Sequence, residues 1–285
     1  SVCFTGLNTG FVAGHSGTIL KTINKGVEWV ELQSGTTEWL KSIFFLNADV
    51  GYVAGEFGTI LKTINNGTSW ESLFTGTSVH FASVHFPDDQ TGYAVGEGGG
   101  ILKTNDGGAT WNEQSSGTTQ ALNSVYFTST DTGYLAGNDG MIMKTTNGGS
   151  TWNTQFSGDL QWLTSVYFTD SNTGYAVGGR IFNFNTCELI VKTTDGGATW
   201  NYLTNGSYSP LKSVYFVDSQ TGYAVGNYGT ILKTSDAGIT WQSELSGTNQ
   251  MLSSVCFTHP DIAFAVGNNG AVFPRRSDGA RRRAS

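Results

Sequence analysis

The apolar residues of this chain fall in short runs with no 3.6-residue rhythm, and each run is closed by Gly, Asp, Asn or Ser. The stretch Thr91–Trp111 shows the scheme. Tyr93-Ala94-Val95 leads through a glycine loop to Ile101-Leu102-Lys103-Thr104, and a tight turn, Asn105-Asp106-Gly107-Gly108, delivers Thr110 and Trp111. Ser83-Val84-His85-Phe86 precedes it, and a last run extends from Trp111 to about Ser115. Short β-branched and aromatic segments between turn formers predict four strands, called a, b, c and d in chain order. Strands a and b are apolar at successive positions, as expected of sheets covered on both faces.

The pattern recurs. The Gly-Tyr pair of strand b, or its equivalent, stands at Gly10, Gly51, Gly92, Gly133, Gly174, Gly222 and Ala263, in steps of 41, 41, 41, 41, 48 and 41 residues. Four strands per repeat of about 40 residues predict an all-β, seven-bladed β-propeller of four-stranded blades. Residues 1–285 are expected to form a single propeller domain, with repeats starting near 1, 42, 83, 124, 165, 213 and 254. In the last repeat Pro274 replaces the strand c lysine and no Trp follows, so the final blade is expected to be incomplete, with 274–285 a degenerate basic tail.

The turn between strands c and d reads T-x-D-x-G-x-T-W in repeats 3, 5 and 6, with Asp106, Asp195 and Asp236; repeats 1, 2 and 4 carry Asn24, Asn65 and Asn147 instead. A short carboxylate or amide accepts backbone N–H groups inside such a turn, and glycine takes the positive φ. The tryptophans that follow, Trp29, Trp70, Trp111, Trp152, Trp200 and Trp241, cover the hairpins. The motif looks like the Asp-box of sialidase-type propellers, and its uniformity assigns it a structural role. The strand c lysines (Lys21, Lys62, Lys103, Lys144, Lys192, Lys233) are expected to lay their stems along the blade and reach solvent or a carbonyl.

Specific function is expected where the repeat breaks pattern. In an up-and-down blade the b–c and d–a loops share one face. There Trp39, His80 and Trp162 precede strand a, Phe57 and Tyr228 occupy b–c loops, and repeat 5 expands to Gly179–Glu188 with Arg180, Phe182 and Phe184. Aromatic rings beside a pocket suit a peptide or a sugar. The competing reading is that these rings merely plug a channel mouth.

Charged residues make up 13% of the chain, about half the usual ~25%. The net charge is −7; residues 274–285 hold five arginines and one aspartate, which leaves the rest at −11. Such a body repels nucleic acid and anionic membranes. No run of apolar residues is long enough for a membrane span. Composition favours an extracellular, cell-surface or periplasmic location, with the targeting segment outside the chain and the propeller a module of a larger secreted protein. Cys3 and Cys256 share a strand a position without metal or redox spacing, and Cys187 is expected to be unpaired.

Enzymatic chemistry finds little support. Sialidases hold a carboxylate with clustered arginines, and Arg180 is the one arginine before residue 275. No carboxylate pair is singled out for glycoside hydrolysis, and His15, His80, His85 and His259 fall in different repeats without metal-ligand spacing. No cofactor is expected.

The complete repeat, best seen over Ser213–Trp241, resembles the photosystem II stability/assembly-factor propeller family, with Asp-box (BNR-type) repeats. The resemblance implies a non-enzymatic propeller that binds a protein partner. Photosynthetic members use an arginine-rich patch; this arginine-poor chain is more similar to the non-photosynthetic bacterial relatives. The expected function is binding of a protein or peptide through the b–c/d–a face, with lectin-like glycan binding there as the alternative and glycoside-acting catalysis as a remote one.

Overall fold

The computed structural model describes residues 1–158, 161–182, 185–203, 209–259, 262–268 and 272–276. Among the described residues each repeat forms its own antiparallel sheet; six sheets have four strands in sequential order and the last has three. Repeat 2 is typical: Leu40–Phe45, Gly51–Gly55, Ile60–Thr63 and Glu71–Ser72. The chain divides into two compact units, one of Ser1–Gly133 with Thr145–Trp152, the other of Tyr134–Lys144 with Asn153–Arg282.

The boundaries differ from the expected ones in instructive ways. Strand a of repeat 3 runs Phe81–His85, and strand d shrinks to Asn112–Gln114, with Trp111 left in the turn. The repeat 5 insertion is not a loop. It lengthens strands b and c to Gly174–Phe182 and Asn185–Thr193, with Arg180 opposite Cys187 and Phe182 opposite Asn185. Two paired strands that lengthen together continue the ladder instead of leaving backbone groups unpaired. Phe184 lies outside the described residues, as do residues 277–285 of the basic tail. The last sheet comprises Leu252–His259, Ile262–Gly267 and Val272–Arg276. Neither Cys3 nor Cys256 is in a disulfide.

Within the first unit, strand b of each repeat packs on strand a of the next. Tyr52 stacks on Phe86 at 3.7 Å, Tyr93 on Phe127 at 4.0 Å and Phe11 on Phe45 at 4.2 Å. The second unit repeats this with Tyr134 on Phe168 at 3.9 Å and Tyr175 on Phe216 at 4.0 Å. The box tryptophan meets the same phenylalanine edge-on, as Trp111 does Phe86 at 6.0 Å. Tyr52, Tyr93, Tyr134 and Tyr175 are fully buried. Aromatic burial of this kind contributes about 2 kcal/mol per ring.

The turns are closed locally. The Thr104 hydroxyl donates to Asp106 Oδ1 (2.7 Å) and accepts from the Gly108 amide (2.9 Å). Asp106 Oδ1 also accepts the Thr110 amide at 2.8 Å, and Oδ2 the Thr110 hydroxyl at 2.6 Å. Where asparagine replaces aspartate, Nδ2 donates instead of Oδ2 accepting: Asn147 Nδ2 reaches the Thr151 hydroxyl at 2.9 Å, and Asn65 Nδ2 the Ser69 hydroxyl at 2.9 Å. Asn24 accepts the Glu28 amide at 2.9 Å. The Thr110, Thr199 and Thr240 hydroxyls and amides hold the Asp106, Asp195 and Asp236 carboxyls down to about 2.

Candidate functional site

The b–c and d–a loops meet on one side of each unit, and the backbone fixes how they meet. Glu56 N–H donates to Trp39 C=O (3.0 Å), Glu97 N–H to His80 C=O (3.1 Å) and Gly179 N–H to Trp162 C=O (2.9 Å). The approach requires glycine at the end of strand b: a Cβ on Gly55 would lie 2.3 Å from the Trp39 oxygen. These contacts put Trp39, His80 and Trp162 at equivalent places.

In the first unit the side chains form a continuous row. His15 stacks on Trp39 with ring centroids 3.9 Å apart, and the Lys41 ammonium lies 5.0 Å from the Trp39 ring. Lys41 pairs with Glu56 at 3.1 Å. His80 Nδ1 is 3.6 Å from the same Glu56 oxygen, and its ring is 4.5 Å from Phe57. Partial burial pushes the Glu56 carboxyl up, but the Lys41 bond and the charges of Lys41 and His80 outweigh it and leave Glu56 below the usual carboxylate range. Trp39 and Phe57 remain 39% and 59% exposed, so the row presents apolar surface around a tethered charge pair.

Three of the sequence candidates, Trp39, Phe57 and His80, are thus brought together. Trp162 and Tyr228 belong to the second unit, where they are 45% and 61% exposed. Arg180 and Phe182 sit on the extended strands of repeat 5.

Sequence reasoning missed Lys41. It lies where the register of strand a slips between Leu40 and Ser42, a bulge that re-aims one side chain. The signal was a charge at the strand a position where repeats 3 and 4 carry Ala82 and Asn123. Phe74 and Leu245 were also missed; they lie just past their d strands, 89% and 82% exposed. Among the described residues no group of three or more His, Cys, Asp or Glu is arranged to hold a metal ion, and no helix is long and apolar enough to cross a membrane.

Four-stranded sheets packed face to face through strands a and b, with their Asp-box turns on one side and varied loops on the other, define a β-propeller built from BNR-type blades. Residues 65–158 match the family described as photosynthesis system II assembly factor YCF48. No curated protein sequence matches the chain. Among solved structures, YCF48 bound to D1 peptide superposes with a TM-score of 0.78 at 16% identity, over 98% of this chain and 91% of that one. YCF48 from Cyanidioschyzon merolae gives 0.77 at 15%, over 98% and 95%. The GH74 enzyme of Niastella koreensis gives 0.78 at 16%, over 93% of this chain and 50% of the enzyme. At these identities the likeness is one of fold.

Proposed function

We propose that the chain is a non-enzymatic, seven-bladed, single-domain propeller that binds a protein or peptide segment through its b–c/d–a loop face. The row from His15 to His80 carries this reading: aromatic rings, with Trp39 and His80 each seated on a fixed backbone hydrogen bond, around the Lys41–Glu56 pair. Rings held in place before binding lose little entropy on contact. A YCF48 structure with the same fold has a D1 peptide bound, which supports peptide capture by this architecture. The low charge of the chain favours an extracellular, cell-surface or periplasmic setting and a place within a larger secreted protein.

Glycan binding is the second reading, supported by the exposed Trp162 ring. It fits Trp39 less well, because His15 and Lys41 already contact that indole.

Selection of a random dodecapeptide display library on the chain tests the first reading. Clones should lose binding to a Trp39→Ala, Trp162→Ala variant while its Tm stays close to that of the parent. Equal binding of all clones to the variant refutes it. Hits on a glycan array with no peptide enrichment favour the second reading.

A further inference from the structure

The tips of the b–c loops hold a further feature, which shares Phe57 with the binding row. Ser16, Phe57, Gly98, Asp139 and Tyr228 occupy equivalent tip positions, all left-handed, with φ between 52° and 65°. The conformation is imposed by the next residue. Gly58 N–H donates to the Val79 carbonyl at 2.8 Å, and a Cβ on Gly58 would lie 2.0 Å from the Thr77 oxygen. Gly229 is held the same way, 2.0 Å from the Thr248 oxygen. Glycine suits such a tip, and repeat 3 has it in Gly98. A large aromatic residue there is strained, so Phe57 and Tyr228 are out of place on conformational grounds.

The residue at or just past the end of strand d, which faces the tip, varies as well. Repeats 2 and 6 carry Phe74 and Leu245 there; repeats 1 and 3, with Ser16 and Gly98 at the tip, carry Gln33 and Ser115; repeat 4, with Asp139 at the tip, carries Phe156, half-buried against Tyr202. Phe57 and Phe74 line one groove of about 660 Å³; Tyr228 and Leu245 line another of about 630 Å³. All four side chains are more than half exposed. Strain and exposure at the same two repeats, with apolar partners matched across each groove, mark two clips for an apolar side chain.

Charge narrows the occupant. No lysine or arginine lines either groove. Glu244 lines the second, and Glu71 is exposed beside Ser72 on the wall of the first. In the first unit Lys21, Lys62 and Lys103 donate to backbone carbonyls and Lys41 to Glu56, so local cations are engaged while the chain keeps its net charge of −7. We infer that the Phe57–Phe74 and Tyr228–Leu245 clips each take one large aliphatic or aromatic side chain of an extended peptide, flanked by lysine or arginine. The inference rests on the peptide-binding reading and specifies its partner.

The probe is a fluorescein-labelled peptide, acetyl-GSKKLFKKSG-amide, followed by anisotropy at low salt. Controls are its acidic counterpart GSEELFEESG and its anchorless counterpart GSKKSSKKSG. The basic anchored peptide should bind at least about tenfold tighter than either control, the scale of one buried apolar side chain. Phe57→Gly with Phe74→Ser converts clip one to the residues of repeat 3, and Tyr228→Gly with Leu245→Ser does the same for clip two. Each pair should weaken binding several-fold, and the four together should remove it, with Tm unchanged because the tip strain is relieved. Undetectable binding of the basic anchored peptide, equal binding of all three peptides, or unchanged affinity in the fourfold variant overturns the inference. Library peptides that need Trp39 and Trp162 but tolerate the fourfold variant would remove the clips and leave the broader reading intact.

Discussion

Tyr52 and Lys62 donate to one acceptor: the phenol at 2.8 Å and the ammonium at 2.6 Å from the carbonyl oxygen of Gly107, in the Asp-box turn of the next repeat. Tyr93 and Lys103 hold Gly148 in the same way, Tyr134 and Lys144 hold Gly196, and Tyr175 and Lys192 hold Ala237. Each ammonium also lies over the ring of its partner tyrosine, 5.5 Å from the centroid for Lys62. This clasp predicts non-additive mutations. Tyr52→Phe and Lys62→Met each leave the Gly107 oxygen one donor, and each should cost about 1 kcal/mol in urea unfolding. The double variant leaves that carbonyl bare and should cost about 1 kcal/mol more than the sum. Strict additivity would show that the two donors act independently. Repeat 1 is a natural single case: Phe11 has no hydroxyl, and Lys21 alone reaches Asn66 C=O at 2.6 Å.

The Asp-box turn should accept an amide. Asp106→Asn is expected to leave the Tm at pH 7 close to that of the parent, because Asn147 already closes an equivalent turn. Asp106→Ala removes the acceptor of the Thr110 amide and should lower the Tm. Thermal unfolding at neutral pH separates the two.

Acid should act through His85. Burial pushes its imidazole down to about 4; its Nδ1 is buried, and its ring centroid lies 5.0 Å from that of Phe44 and 5.1 Å from that of Tyr126. The unfolded chain takes up this proton near pH 6.5 and the folded chain only near 4, so stability falls as pH drops through that interval. His85→Phe should flatten the dependence there. The box aspartates are depressed to about 2 from 3.8, so their contribution is present above 3.8 and is lost toward pH 2. A variant with an unchanged slope between pH 6.5 and 4 would exclude His85 as the source.

Gly55→Ala should disturb the binding row more than the core. The added methyl would meet the Trp39 carbonyl at 2.3 Å, so the loop must move. Trp39 emission should shift to longer wavelength, and library peptides selected on the parent should bind more weakly. Unchanged emission would mean that the loop has other room to relax.

Much of this architecture is legible in the sequence because it is said seven times. A 41-residue period, Gly-Tyr pairs and Thr-Trp turns locate every sheet without reference to distant contacts. The lysines were legible only halfway. Their spacing suggested a stem along the blade, but the shared carbonyl depends on a turn 45 residues away from Lys62. The repeat 5 insertion was misread because strand extension and loop excursion add the same number of residues; pairing of Arg180 with Cys187 distinguishes them. At the candidate site, aromatic residues stand out by type, whereas Lys41 joins through a bulge and Phe74 through its exposure beside a groove, neither of which is written locally.

The clasps between consecutive repeats all end on Asp-box turns, and none involves a b–c loop. The clasps and the proposed binding loops therefore lie at opposite edges of each sheet. Tip residues such as Ser16, Phe57 and Gly98 can be randomised together while the scaffold keeps its strength, provided the glycines that follow them are spared. Such a chain is free to change what it holds without relearning how to fold.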